Sequence, residues 1–313
     1  MDRSDVLAEA AGIATGTDRL TASAWLGVLR AHQSRVEDAL RLLSPAARSH
    51  AGVEHTSATL HALLFTGHAH ALAGRPVVAL DCFARYTNEV DRRQVPRFAG
   101  RGLNFSGWVL RNVGAAEEAV ERHLEALEVA NRNGTPEVTI AALEDLAEER
   151  LAAGDLDAAA DRLSAARSHL RGDLVFGWRL ELKLRLLQSR LALASGKVEQ
   201  ALAIAEPLAA RAAEIGVPRY TSVARLLGHR ARARLGMPLN LAAVEADLDL
   251  LDGAVAIEAW WWTGETAADL HVAEWLTRAA DSAARLADAS GEHAAGLRAA
   301  ATQRLDIWKS AVG

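Results

Sequence analysis

The chain has 313 residues, half of them apolar and 24% charged, which excludes a disordered acidic or basic tail. Thirty-five Lys and Arg against 40 Asp and Glu leave a net charge of −5, a poor balance for neutralising nucleic-acid phosphates. Aromatic residues make up only 5% and there are seven prolines, while the apolar half is largely Ala and Leu: a composition of long helices rather than strands. The lone Cys82 leaves no intrachain disulfide and no cysteine zinc site. No stretch has the length and apolarity of a membrane-spanning helix, and Met1 to Asp5 lack the opening of a signal peptide. A cytoplasmic protein is expected.

Residues 1–19, with Gly12, Thr15, Gly16 and Thr17, read as a short capping helix and a turn. From 20 to 252 the sequence repeats itself. A small residue recurs at Gly27, Gly67, Gly107, Ala147 and Ser189, and a turn residue at Ser34, Gly74, Gly114, Gly154, Gly196 and Gly236. A second small residue recurs at Ala39, Ala79, Ala119, Ala159 and Ala201. The turn positions are spaced 40, 40, 40, 42 and 40 residues apart. Pro96, Pro136 and Pro218 each lie 11 residues before the first small position of a unit, two of them in Gly-x-Pro, the punctuation of one helix ending and the next beginning. Each period therefore holds two helices, A and B, crossing where their side chains are smallest. Bulky residues such as Phe83 and Leu163 fill the flanks. One such pair cannot bury its apolar face, but a stack can. After Gly236 the pattern blurs, with Leu241 in the place of the column alanine. A Trp-rich helix follows at Trp260-Trp261-Trp262, then helices near 272–289 and 293–310, so 253–313 read as a degenerate repeat and closing helices. The prior of about two domains from length gives way to one array over 1–313.

The small–turn Gly–Ala–bulky spacing resembles the tetratricopeptide repeat (TPR), with Gly67, Gly74, Ala79 and Phe83 in the family's frame and a period longer than its 34 residues. Long-period arrays of this kind resemble the helical sensor modules of LuxR-type and signal-transduction ATPase regulators of actinobacteria. The resemblance implies an all-α, right-handed TPR-like superhelical solenoid of six to seven helical hairpins, and a concave surface lined by defined helix A positions. Carried over, these are His61, Leu64 and His68 in the second unit, and Arg101, Asn104, Trp108, Arg111 and Asn112 in the third. Glu144 and Glu148 follow in the fourth, Lys183 and Arg190 in the fifth, Arg230 and Arg234 in the sixth. An indole, amides and guanidiniums suit a peptide end, a sugar or another polar small molecule, and a basic strip opposite an acidic one favours a zwitterionic or anionic ligand.

No phosphate-binding loop, nucleophile elbow or dinucleotide fingerprint is present, and neither an ATPase nor a DNA-reading domain is recognisable. His50, His55, His61, His68 and His70 cluster in sequence without the spacing of a metal site. Glu144, Asp145, Glu148 and Glu149 read most simply as a charged helix face, as does the acidic run from Glu245 to Asp252. Three consecutive tryptophans cannot share one helix face, so an aromatic cap over the last repeat competes with a partner or dimer surface.

The expected function is non-catalytic capture of a peptide, protein or polar small-molecule effector in the concave groove, in transcriptional or signalling regulation. No cofactor, metal, nucleic acid or membrane is expected to take part. Two other readings stand beside it: an enzyme using Glu144 and Glu148 with His61 or His68, and a structural homo-oligomer joined through the Trp-rich end.

Overall fold

A computed structural model describes residues 9, 12–13, 16–48 and 56–312. Fifteen α-helices and no strand occur among the described residues. They pair into seven antiparallel hairpins: α1 (Gly16–His32) with α2 (Val36–Ala47), α3 (Thr56–Leu72) with α4 (Pro76–Arg93), α5 (Arg101–Asn112) with α6 (Ala116–Asn133), and α7 (Pro136–Ala152) with α8 (Leu156–His169). Then come α9 (Gly177–Ala194) with α10 (Val198–Ile215), α11 (Pro218–Arg234) with α12 (Leu241–Ala254), and α13 (Ala256–Leu270) with α14 (Ala273–Asp288). The closing helix is α15 (Ala294–Val312). No helix of the described residues is long and apolar enough to cross a membrane.

The small column has the expected cause. A Cβ on Gly67 would lie 2.5 Å from the ring of Phe83, and one on Gly107 would lie 2.5 Å from the ring of His123. The bulky member of each hairpin thus sits over the small one, at Leu43, Phe83, His123 and Leu163, all fully or almost fully buried. The turn column is left-handed throughout, from Ser34 (φ 57°) to Gly236 (φ 66°), and in the seventh hairpin His271 (φ 56°) takes this role. That conformation closes a helix end on the following loop.

Two sequence expectations shift. Pro136 and Pro218 do open helices α7 and α11, but Pro96 opens a one-turn 3₁₀ helix, and α5 starts only after left-handed Gly100. At the other end of the chain, Gly16 and Thr17 already belong to α1 rather than to a turn, while Thr15, His50 and His55 lie outside the described residues.

The solenoid curls back on itself. Helix α13 returns to α3 and α5, and α15 crosses the turn between α5 and α6 so closely that a Cβ on Gly114 would lie 2.9 Å from the Cα of Leu297. Only glycine satisfies both that approach and φ +83°. Arg304 on α15 donates from Nη2 to the Ala152 carbonyl at the C-terminus of α7 (2.9 Å), where the helix dipole favours a cation. In the last hairpin the space above Gly264 is filled not by the B helix but by Trp308 of α15, whose ring lies 2.0 Å from where a Cβ would stand.

Candidate functional site

The curl turns the concave face into an interior, and the inner positions of the A helices face one another across it. In the first three hairpins this interior is aromatic. The loop before α9 inserts Phe176, whose ring centroid lies 6.4 Å from Trp25, 6.1 Å from His61 and 5.6 Å from both His32 and Phe65. His68 packs against Phe105 and Trp108, each at 5.5 Å. His61 and His68 are buried. Burial holds His61 down to about 4 and His68 well below the usual imidazole range, so both stay neutral near pH 7. No group of three or more metal-ligating side chains occurs among the described residues.

Further along, the interior is ionic. A ladder of alternating charge runs Arg111–Glu148 (2.5 Å), Glu148–Arg190 (3.0 Å), Arg190–Glu265 (3.4 Å), Glu265–Arg230 (2.6 Å), Arg230–Asp269 (2.6 Å) and Asp269–Arg234 (2.7 Å). It ties five A helices together. A branch joins it: the Nδ2 of Asn104 donates to Asp145 (2.8 Å), which is also ion-paired with Lys183. Since the amide nitrogen of Asn104 is spent on Asp145, its Oδ1 accepts from Nδ1 of His123 (2.9 Å), which fixes that tautomer. Burial alone would push Glu148 up, but Arg111, Lys183 and Arg190 together hold it down to about 2. Asn112 donates to the Trp108 carbonyl (2.8 Å). The Trp108 indole donates to Glu258 Oε1 (2.7 Å), which is also paired with Arg219. Arg101 pairs with Glu137 nearer the aromatic end.

Expected groove residues are therefore brought together, but as each other's partners. The reading of Glu144, Asp145 and Glu148 as a charged helix face exposed to water is corrected, since all three are buried. Burial pushes Glu144 well above the usual carboxylate range, and neither of its oxygens has a hydrogen-bond partner. Asp247, in the acidic run taken as solvated, is likewise buried and paired with Arg225 (3.1 Å) and His229 (3.0 Å). For Asp145 and Glu148 the reason is that the inner faces of neighbouring A helices meet one another instead of water, and for Asp247 it is packing against α11 within its own hairpin.

A chamber of about 310 Å³ opens inside. Its walls are the C-terminal ends of α5 and α7, with Arg111, Asn112, Glu148 and Glu149, together with Arg190 of α9. Helix α13 adds Glu258 and Trp260 to Trp262, and α15 closes it with Gln303 and Arg304. The Arg304 guanidinium stacks 4.7 Å over the Trp261 ring, and Arg190 lies 4.8 Å over that of Trp262. Trp260, Trp262, Trp275 and Trp308 are buried, and Trp261 is partly buried against Trp260 and Trp308. The indoles thus cap the last repeat and line the chamber. The chamber wall contains carboxylates but no histidine.

Several lining residues escaped the sequence reading. With Gly264 as its small residue, the seventh hairpin places Glu258, Glu265 and Asp269 at the inner positions of the same frame, so that signal was present. For Arg304 there was none, because the closing helix lies outside the repeat.

No known family profile matches the sequence, and no curated protein does. Among solved structures, the chain is similar to a Rap protein complexed with competence and sporulation factor, with 16% identity and a TM-score of 0.62. The similarity covers 99% of this chain and 80% of that one. A likeness at this identity speaks for the fold alone, and it places the chain among TPR-like helical solenoids.

Proposed function

We propose that the chain is a non-catalytic effector-binding module with its seat in the chamber between α5, α7, α9, α13 and α15. The observation that carries this is the chamber itself: a 310 Å³ space kept open inside the superhelix and walled by indoles, guanidiniums and carboxylates. That volume lies at the small end of ligand pockets, which run from about 300 to 1,000 Å³. It fits a polar small molecule or a peptide end, not a long extended segment. A Rap protein of the same fold, solved with competence and sporulation factor, supports a curled solenoid as an effector receptor in regulation. Because α15 touches hairpins three and four as well as the chamber, an occupant would bias how tightly the superhelix closes, which gives the regulatory role a physical basis.

The test is a ligand screen read by thermal shift and by tryptophan fluorescence, since three indoles line the chamber. Trp261→Ala and Arg111→Ala should each weaken a confirmed ligand about tenfold or more. Unchanged affinity in both variants overturns the assignment.

A further inference from the structure

We propose that the chamber binds a small zwitterion of the amino-acid class, its ammonium seated at Glu149 and its carboxylate at Arg304 and the indole N–H of Trp260. This rests on the reading of the chamber as the effector site and narrows it to a ligand chemistry.

The argument is one of unspent groups. Glu148 is taken up by Arg111 and Arg190, and Glu258 by Trp108 and Arg219. Three lining groups are left over. Glu149 keeps only 9% of its side chain exposed, its Oε1 has no hydrogen-bond partner, and the nearest guanidinium nitrogen, Arg111 Nε, stands 3.9 Å away. Arg304 spends one N–H on a backbone carbonyl and one face on Trp261, and among the described residues it has no carboxylate in ion-pair contact. Trp260 is 3% exposed and its Nε1–H is buried without an acceptor. A buried polar group left unpaired costs about 1–3 kcal/mol; the Glu149 oxygen and the Trp260 N–H are two such groups, and with the part-buried Arg304 guanidinium, which lines the same chamber from the closing helix, they mark the shape of a missing partner. A simple anion would leave Glu149 unmet. A simple cation would leave Trp260 unmet and face Arg304. A zwitterion satisfies all three, with its side chain against the indoles.

The experiment titrates the 313-residue chain with free α-amino acids and glycyl dipeptides, and with their N-acetyl and C-amide counterparts, by calorimetry and tryptophan fluorescence. At least one free zwitterion should bind, and blocking either end should weaken it tenfold or more. Glu149→Gln should erase the penalty for acetylation, and Arg304→Gln the penalty for amidation. Arg304→Lys, which keeps the charge, should retain the preference for a free carboxylate and controls for folding of the closing helix. If no free amino acid or dipeptide binds, or blocked forms bind as well as free ones, the zwitterion is overturned. If a blocked compound binds and Trp261→Ala removes it, the chamber reading survives without the zwitterion. If binding is indifferent to Trp261→Ala, Glu149→Gln and Arg304→Gln alike, both fall.

Discussion

Glu149 links the chamber to the stability of the whole chain, and replacing it with Gln measures that link. Burial is the main reason that its carboxyl is pushed from an ordinary 4.5 up to about 7; neighbouring Glu148 adds to the effect, and the Arg111 guanidinium offsets part of it. Below pH 4.5 the folded and unfolded chains both hold the proton, and the group is neutral in the balance. Between 4.5 and 7 the unfolded chain releases it while the folded chain keeps it, so stability falls as pH rises, by up to about 1.4 kcal/mol per pH unit. Over that window the total is about 3 kcal/mol, an upper figure because a partly solvated carboxyl relaxes. Glutamine keeps the shape and cannot ionise. Urea unfolding of both proteins at pH 5, 6, 7 and 8 should show a gap that widens from pH 5 to 7 in favour of Glu149→Gln and then levels off. Subtracting the two curves removes the titration of Glu144, which both proteins share. A gap that stays constant across pH would show that Glu149 already carries its charge in the folded state below pH 7 and that burial does not hold its proton.

Other parts of the interior make their own predictions. Arg190→Met leaves Glu148 and Glu265 buried without their shared cation and should cost about 3–5 kcal/mol in urea unfolding; a loss under 1 kcal/mol would mean that water already screens the ladder. Gly264→Ala drives a methyl into the Trp308 ring, so it should cost about 1–3 kcal/mol and make α15 the first segment cut in limited proteolysis. Histidines 32, 61 and 123 are held near pKa 3, 4 and 4, chiefly by burial. They are neutral in the folded chain while the unfolded chain charges below 6.5, so stability should drop as pH falls from 6.5 to 4, by up to about 1.4 kcal/mol per histidine per pH unit. Imidazole NMR shifts of the folded protein that titrate near 6.5 would contradict this.

Much of the architecture follows from local chemistry. The Gly and Ser turn column, the small residues under Phe83 and His123, and the prolines at α7 and α11 each act within one hairpin, so a 40-residue period in the sequence is enough to expose them. The inner positions of the A helices, among them Arg111, Glu148, Arg190 and Arg230, follow from the resemblance to the tetratricopeptide frame rather than from the period alone. Their state was not legible. A repeat frame gives the direction of a side chain, but whether that direction meets water depends on how far the superhelix turns, and this accumulates over all seven hairpins. Asp145 illustrates the point: its place on α7 was plain, but its partners Asn104 and Lys183 come from the hairpins on either side.

The sequence by itself determined the helices, their pairing and the order of the stack, because each depends on residues within about forty positions of one another. Only the tertiary structure decided that the stack closes. Contacts such as Trp108 with Glu258, 150 residues apart, and Arg304 with Ala152, 152 residues apart, convert an open groove into an interior that holds the chamber. The physical reason is that closure is a sum of small rotations between neighbouring hairpins, whereas a repeat pattern records each neighbour pair and not their total.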